Sequence, residues 1–293
     1  MRNFMLFLTR VQMIIQNKSS ASSWVALFLM TSGLVLQAHR TPAQTTPTPA
    51  AAPPALTNLL ARIDAAANAH NVNAVMQYYA TNFTHTDGLT HQTMAQSLTQ
   101  LWQRYPQLRY TTRVESWKPE GRAIVAETIT NISGSQVQDN RNLLFNATIR
   151  SRQRVENDKI VRQDILWERS MLRAGAKPPT VEVRLPQQVK AGQQFNFDAI
   201  VQEPLGEDYL LGAVIEEPIK PGTYLNPVPV ELELLSAGGI FKQGRAPSAG
   251  NNRWISAIVV RGDGMTMVTQ RLQIIGGNAA SNTLSPAITQ LPK

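Results

Sequence analysis

No cysteine occurs anywhere in the 293 residues. That absence removes structural disulfides, cysteine-ligated zinc, iron–sulfur clusters and every thiol nucleophile. Aromatic residues, at 6%, and charged residues, at 16%, are scarce. The chain also lacks a Gly-x-Ser-x-Gly elbow, a His-Glu-x-x-His pair, a Walker loop and a dinucleotide fingerprint, so the common hydrolase and nucleotide-dependent classes have no support and no cofactor is indicated. The 43% hydrophobic content is ample for one large domain or two ordinary ones.

The net charge of +8 is unevenly placed. Residues 1–43 carry Arg2, Arg10, Lys18 and Arg40 and no acid, residues 44–176 carry 14 Lys/Arg against 10 Asp/Glu, and residues 177–293 carry 10 against 10. Half of the excess belongs to the first 43 residues, so the basic balance reads as a leader plus a modest arginine surplus in one domain, and no nucleic-acid partner is expected. In that leader, basic residues precede the apolar run Trp24 to Leu36, and small residues follow at Ala38 and Ala43. The run is too short for the ~20 residues that span a bilayer. Residues 1–43 therefore read as a secretory signal peptide, with an uncleaved signal anchor as the competing reading, and the protein is expected to be secreted or periplasmic, or membrane-anchored if the signal is kept.

Residues 44–54 are rich in Pro and Thr and read as a disordered linker, as do residues 276–293 as a tail. Between them, Leu56, Leu59, Leu60 and Ile63 fall at helical spacing. A second short helix holds Val72, Val75, Met76 and Tyr79 after a cap at Asn71, and a third runs from about Thr90 to Tyr105, ended by Pro106. After Pro106 the period becomes two: Tyr110 to Trp117, Arg122 to Ile132, Asn142 to Val155 and Ile160 to Leu172 predict a four-stranded antiparallel meander.

This order of elements, with the segments LLARIDAAANAHNVNAVMQYYATNF, THTDG and KIVRQDILWERSML, resembles the nuclear transport factor 2-like (SnoaL-like, or cone-fold) superfamily over residues 55–176. The resemblance implies an α+β cone of three helices and a curved antiparallel sheet of about four strands, an apolar pocket at its wide end, and a homodimer formed through the sheet. Pro178 and Pro179 mark the next boundary, and the two folded parts are expected to be separable across it. In residues 179–275, alternating runs at Thr180–Leu185, Phe195–Val201, Val228–Leu235 and Trp254–Arg261, with a hairpin return from Met265 to Ile275, predict an all-β sandwich. The phrase VKAGQQFNFDAIV loosely resembles immunoglobulin-like bacterial surface modules.

The cone-fold ketosteroid isomerases carry an Asp base after the second helix, and the resemblance places Asp87 there, with His85 beside it. Their oxyanion tyrosine would fall near Ile63, and the first helix has no tyrosine. His85, Asp87 and His91 form H-x-D-x-x-x-H, a spacing that fixes no ligand geometry, so no metal is assigned; a hydrogen-bonded turn of Asp87 and Thr90 at the start of the third helix is the plainer reading. Tyr79, Trp102, Tyr105 and Trp167 are candidates to line an apolar pocket, with core packing as the alternative for each. Arg150, Arg152 and Arg154 share one strand face, where Glu156, Asp164 or Glu168 would pair with them. Two functions remain open. One is an exported non-catalytic protein whose cone pocket binds a hydrophobic small molecule or a protein partner; the other is an acid–base enzyme of the ketosteroid isomerase type using Asp87.

Overall fold

Helical periodicity ahead of Pro106 builds three helices, which frame one short strand. α1 (Pro54–Asn68) buries Leu56, Leu59, Leu60 and Ala67. Asn71 accepts the Ala74 N–H at 2.9 Å and caps α2 (Val72–Met76). β1 (Tyr79–His85) follows, and α3 (His91–Arg104) begins on a reciprocal box between Thr90 and Thr93. The structure is a computed structural model that describes residues 51–138, 141–206, 208–225, 230–235, 238–248, 252–262 and 264–276. The leader, most of the Pro/Thr-rich stretch, the tail after 276 and the start of the expected strand at Val228 lie outside them.

β2 (Arg109–Glu120), β3 (Ala123–Gln138), β4 (Arg141–Glu156) and β5 (Lys159–Gly175) form a long antiparallel meander, and β1 pairs with β5 in parallel. Asn157 and Asp158 both take positive φ, the requirement of a tight turn whose twist matches its strands. The outer edge of β2 is closed by α1. Asp64 accepts from the Thr112 N–H at 2.6 Å and its hydroxyl at 2.8 Å, and Asn68 exchanges two hydrogen bonds with the Tyr110 backbone. A row of open strand amides is thereby spared exposure.

The remaining strands are β6 (Val181–Arg184), β7 (Gln188–Lys190), β8 (Gln194–Val201), β9 (Leu210–Pro218), β10 (Glu233–Leu234), β11 (Gly239–Arg245), β12 (Arg253–Arg261) and β13 (Gly264–Ile275), with the short helix α4 (Pro221–Leu225) after β9. The main sheet runs in the order β10-β9-β12-β13-β5-β4-β3-β2, and β11-β8-β6 form a second sheet. β13 pairs with β5 from Gly264–Gly175 to Gln270–Arg169. The main sheet therefore continues past the expected boundary: Pro178 and Pro179 lie beyond the end of β5, and the chain returns through β13 to extend the same sheet. The linker passes so close over β13 that a Cβ on Gly264 would collide with the Lys177 carbonyl.

The two faces of the main sheet have different covers. The helices lie on one, where Ala126, Phe145, Ile160 and Leu172 join Ile258, Val260 and Met265 in one core. On the opposite face, the β11-β8-β6 sheet lays Phe195, Phe197, Ala199 and Ile240 against Ile255, Ala257, Val259 and Leu272. β12 is therefore buried on both sides, which is why Ile255 to Val260 read as an almost unbroken apolar run. Across the described residues the chain is mostly antiparallel sheet with few helices, consistent with a cone-like fold in its first part.

Candidate functional site

His85 ends β1, and the turn that follows, with Gly88 at φ +78, carries Asp87 back under the sheet, where Gly88 lies against Pro221 of α4. Facing Asp87 across the seam is Arg271 on β13. Arg271 Nη1 donates to Asp87 Oδ1 at 2.8 Å and Nη2 to Oδ2 at 2.7 Å. The Tyr224 hydroxyl donates to the same Oδ2 at 2.6 Å. Arg271 Nη2 lies 3.1 Å from Glu168 Oε1, which also accepts the Trp254 indole N–H. Tyr224 packs edge-on against Trp254, with ring centroids 4.7 Å apart. The arginine side chain is 0% exposed and that of Asp87 2%.

The electrostatics follow from this geometry. Burial pushes the Asp87 carboxyl up, but the hydrogen bonds and charge of Arg271, with the Tyr224 hydroxyl and His85, hold it below the ordinary value. Glu168 is raised, because burial outweighs the attraction of Arg271 and the indole hydrogen bond. Burial lowers His85, against the pull of Asp87. Its Nδ1 accepts the Asp87 backbone N–H at 3.1 Å, the role of a neutral imidazole with its proton on Nε2. Tyr224 is raised well above its ordinary value, by burial first and then by Glu168 and Asp87. The site thus holds a guanidinium closed by one carboxylate at bidentate geometry and by a second acid that resists ionisation.

Asp87 and His85 are therefore together, as the sequence suggests, but the third member of the H-x-D-x-x-x-H pattern is elsewhere: His91 Nε2 meets the Met76 carbonyl at 3.1 Å. Among the described residues no group of His, Asp and Glu is arranged to hold a metal ion. Thr90 caps α3 and Asp87 does not, so the turn reading is half realised.

The four aromatic candidates separate. Tyr79 is buried edge-on against Phe83, and burial raises its hydroxyl to about 12. Trp102 donates to the Tyr110 hydroxyl at 2.8 Å and stacks on His70. Tyr105 stacks on Phe145 and borders a cavity of about 10 Å³ shared with Leu108, Gly134, Leu143 and Leu172; that is room for about one water. Trp167 lies opposite Arg150, on the sheet face away from the helices, because Leu166 is an unpaired bulge between the Ile165–Ser151 and Trp167–Arg150 pairs. The bulge reverses the alternation, turning Trp167 out and Glu168 in. Glu168 is consequently no partner of the arginine stripe. Arg150 pairs with Glu115 and Glu127, Arg152 with Glu127, and Arg154 with Glu120 and Glu156, while Asp164 pairs with Arg162.

No motif in the sequence points to Arg271, Tyr224 or Trp254, and Glu168 is expected beside the arginine stripe instead. One signal was available: Arg271 is a lone charge in the strand Met265 to Ile275, on the parity of Met265 and Met267.

Residues 176–275 match the model of a domain of unknown function, DUF8623. No curated protein matches the chain. Several solved structures are similar to little more than a third of the chain, among them a SnoaL-like polyketide cyclase from Shewanella putrefaciens, 10% identical over 39% of this chain and 90% of its own with a TM-score of 0.29. An uncharacterised cystatin-fold protein from Novosphingobium aromaticivorans is 16% identical over 37% of this chain and 94% of its own, with a TM-score of 0.29. A hypothetical protein of ketosteroid isomerase-like fold from Catenulispora acidiphila, in complex with trimethylamine, is 11% identical over 36% and 82%, with a TM-score of 0.27. An LEH-like epoxide hydrolase of Mycobacterium tuberculosis is 9% identical over 38% and 80%, with a TM-score of 0.27. Likenesses this distant leave the site's own geometry as the guide to function.

Proposed function

We propose that this is an exported, non-catalytic protein that binds a protein partner. The observation that carries the reading is the Asp87–Arg271 pair: both carboxylate oxygens are occupied by guanidinium N–H groups at 2.7 and 2.8 Å, and one also by Tyr224. A general base needs a free lone pair within reach of a substrate proton and a pKa near working pH. Asp87 is held below its ordinary value and is only 7% exposed. The cavity beside Tyr105, with space for about one water, does not accommodate an apolar ring, which favours a protein partner over a small hydrophobic ligand. Export rests on the basic leader and the apolar run Trp24 to Leu36. A homodimer through the sheet of residues 55–176, implied by the family resemblance, belongs to the same proposal, and light scattering tests it.

The deciding experiment follows deuterium exchange at carbons next to carbonyls in a panel of ketones, comparing the wild-type chain with Asp87→Asn. No turnover is expected from either. A wild-type activity that collapses in a folded Asp87→Asn variant would establish the enzyme reading instead.

A further inference from the structure

The arginine surplus of the first part is not where its sequence pattern suggests. The stripe Arg150, Arg152 and Arg154 is matched by Glu115, Glu120, Glu127 and Glu156 in a ladder of ion pairs. One strand over, on the same sheet face, β5 presents Trp167, Arg169, Met171 and Arg173. The register shows what flanks the two arginines: Arg169 lies between Thr148 and Gln270, and Arg173 between Leu144 and Thr266. None of these neighbours is acidic, and neither arginine makes an ion pair among the described residues. The Nε of Arg173 is buried without a hydrogen-bond partner. Met171 sits between them, flanked by Asn146 and Val268. The linker wall is close by, since Thr266 bonds the Pro179 carbonyl and Gln270 donates to the Leu185 carbonyl at 3.3 Å.

We propose that this row, Trp167-Arg169-Met171-Arg173, is a docking site for an extended acidic segment of a partner protein. The inference deepens the partner-binding reading above and rests on it. Residues four apart on a strand are separated by about 13 Å, which is also the span between side chains i and i+4 of an extended peptide. Two half-buried guanidinium forks at that spacing fit two carboxylates, and Met171 and Trp167 supply apolar contact beside them. The observations favour a peptide over nucleic acid, which takes its affinity from many phosphate contacts, whereas the rest of this sheet face is neutralised by its own glutamates and residues 177–293 carry 10 basic against 10 acidic side chains.

The test uses the full chain and fluorescence anisotropy with a fluorescein-labelled Glu-Thr-Val-Thr-Glu peptide in 50 mM salt, a matched Lys-Thr-Val-Thr-Lys peptide and a labelled oligothymidylate. The acidic peptide is expected to bind saturably and the basic one not at all. Arg169→Gln with Arg173→Gln should weaken binding by about tenfold or more, whereas Arg150→Gln with Arg152→Gln should change it by less than about twofold. Should the first pair fail to fold by circular dichroism, Arg169→Lys with Arg173→Lys keeps the charge but loses the fork, and is expected to weaken binding about threefold. Absence of binding, or binding indifferent to either Arg169/Arg173 pair, overturns the proposal. Tighter binding of the oligothymidylate through the same arginines would make the row a nucleic-acid site, and an affinity that falls as protein concentration rises would mean that a second copy covers it. Any of these failures leaves the reading of Asp87 standing, because Glu168 faces the opposite side of β5 from Trp167 and Arg169.

Discussion

Asp87 and Arg271 stand 184 positions apart in the chain and share two parallel hydrogen bonds with almost no exposure to solvent. The pair joins the turn after β1 to the last strand, so it ties the helical part to the part beyond Pro179. Removing one partner of a buried pair leaves the other charge unmatched in a medium that cannot solvate it, at a cost of about 3–5 kcal/mol. Arg271→Met is expected to lose that much in urea unfolding. Combining it with Asp87→Asn and Glu168→Gln should recover most of the loss, because no bare charge then remains. Equal losses in the single and triple variants would mean that packing, not charge, sets the energy.

The two acids at Arg271 respond to pH with opposite sign. Asp87 is held below its ordinary value, so its contribution to stability is present above the unfolded pKa near 4 and is lost as pH falls through the lower folded value. Glu168 is raised, so its contribution is present below its unfolded pKa and is lost as pH rises through the folded value. Glu168→Gln keeps an acceptor for the Trp254 indole while removing that titration. The variant should gain stability over wild type as pH rises from about 4 towards the raised folded value of Glu168, measured by thermal unfolding in matched buffers between about pH 4 and pH 7. A difference that stays flat across that range would show that the folded and unfolded values of Glu168 coincide, so that burial does not raise it.

Expression of residues 55–176 alone should give an aggregating product without a cooperative transition. Truncation removes β13, opens β5 from Arg169 to Gly175 as an unpaired edge and leaves Asp87 and Glu168 without Arg271. A monomeric fragment with a sharp thermal transition would restore the separable-domain expectation.

Most of the element order was legible because the chain changes its apolar period at Pro106, and a change from 3.6 to 2 is written in composition alone. Thr90, Pro106 and the Asn157-Asp158 turn marked their boundaries for the same local reason. The candidate site was half legible. Asp87 and His85 lie next to a turn that sequence can locate, but their partners arrive from β5, α4, β12 and β13, and no local rule brings those together. Trp167 and Glu168 were assigned to the wrong faces because one unpaired residue, Leu166, shifts the alternation, and a bulge leaves no compositional mark in ILWERS. The continuous sheet was missed because two prolines look like a border whichever way the chain later turns.

Export makes a direct expectation for the N-terminus. If the leader is removed, sequencing of the protein recovered from its host should begin between His39 and Gln44. An intact Met1 in the membrane fraction would establish the signal anchor.

The edge of β2 offers a test of how this sheet avoids pairing with other chains. Asp64 takes both the Thr112 amide and its hydroxyl, and Asn68, one helical turn later, takes the Tyr110 amide, so one face of α1 shields consecutive outward-pointing groups of the strand. Asp64→Ala removes two acceptors at once and is expected to cost about 1–3 kcal/mol, since the Thr112 amide is left half-buried without a partner while its hydroxyl keeps only Thr130 Oγ1 at 3.0 Å. The second consequence concerns solubility rather than stability: an uncovered strand edge is a template for another strand. Light scattering at rising concentration should therefore show higher oligomers in Asp64→Ala below its unfolding temperature. Asp64→Asn, which keeps one acceptor oxygen, should fall between the variant and wild type in both measurements. An Asp64→Ala protein that loses stability yet keeps the wild-type oligomeric state would locate the protection of this edge in the packing of α1 rather than in its hydrogen bonds.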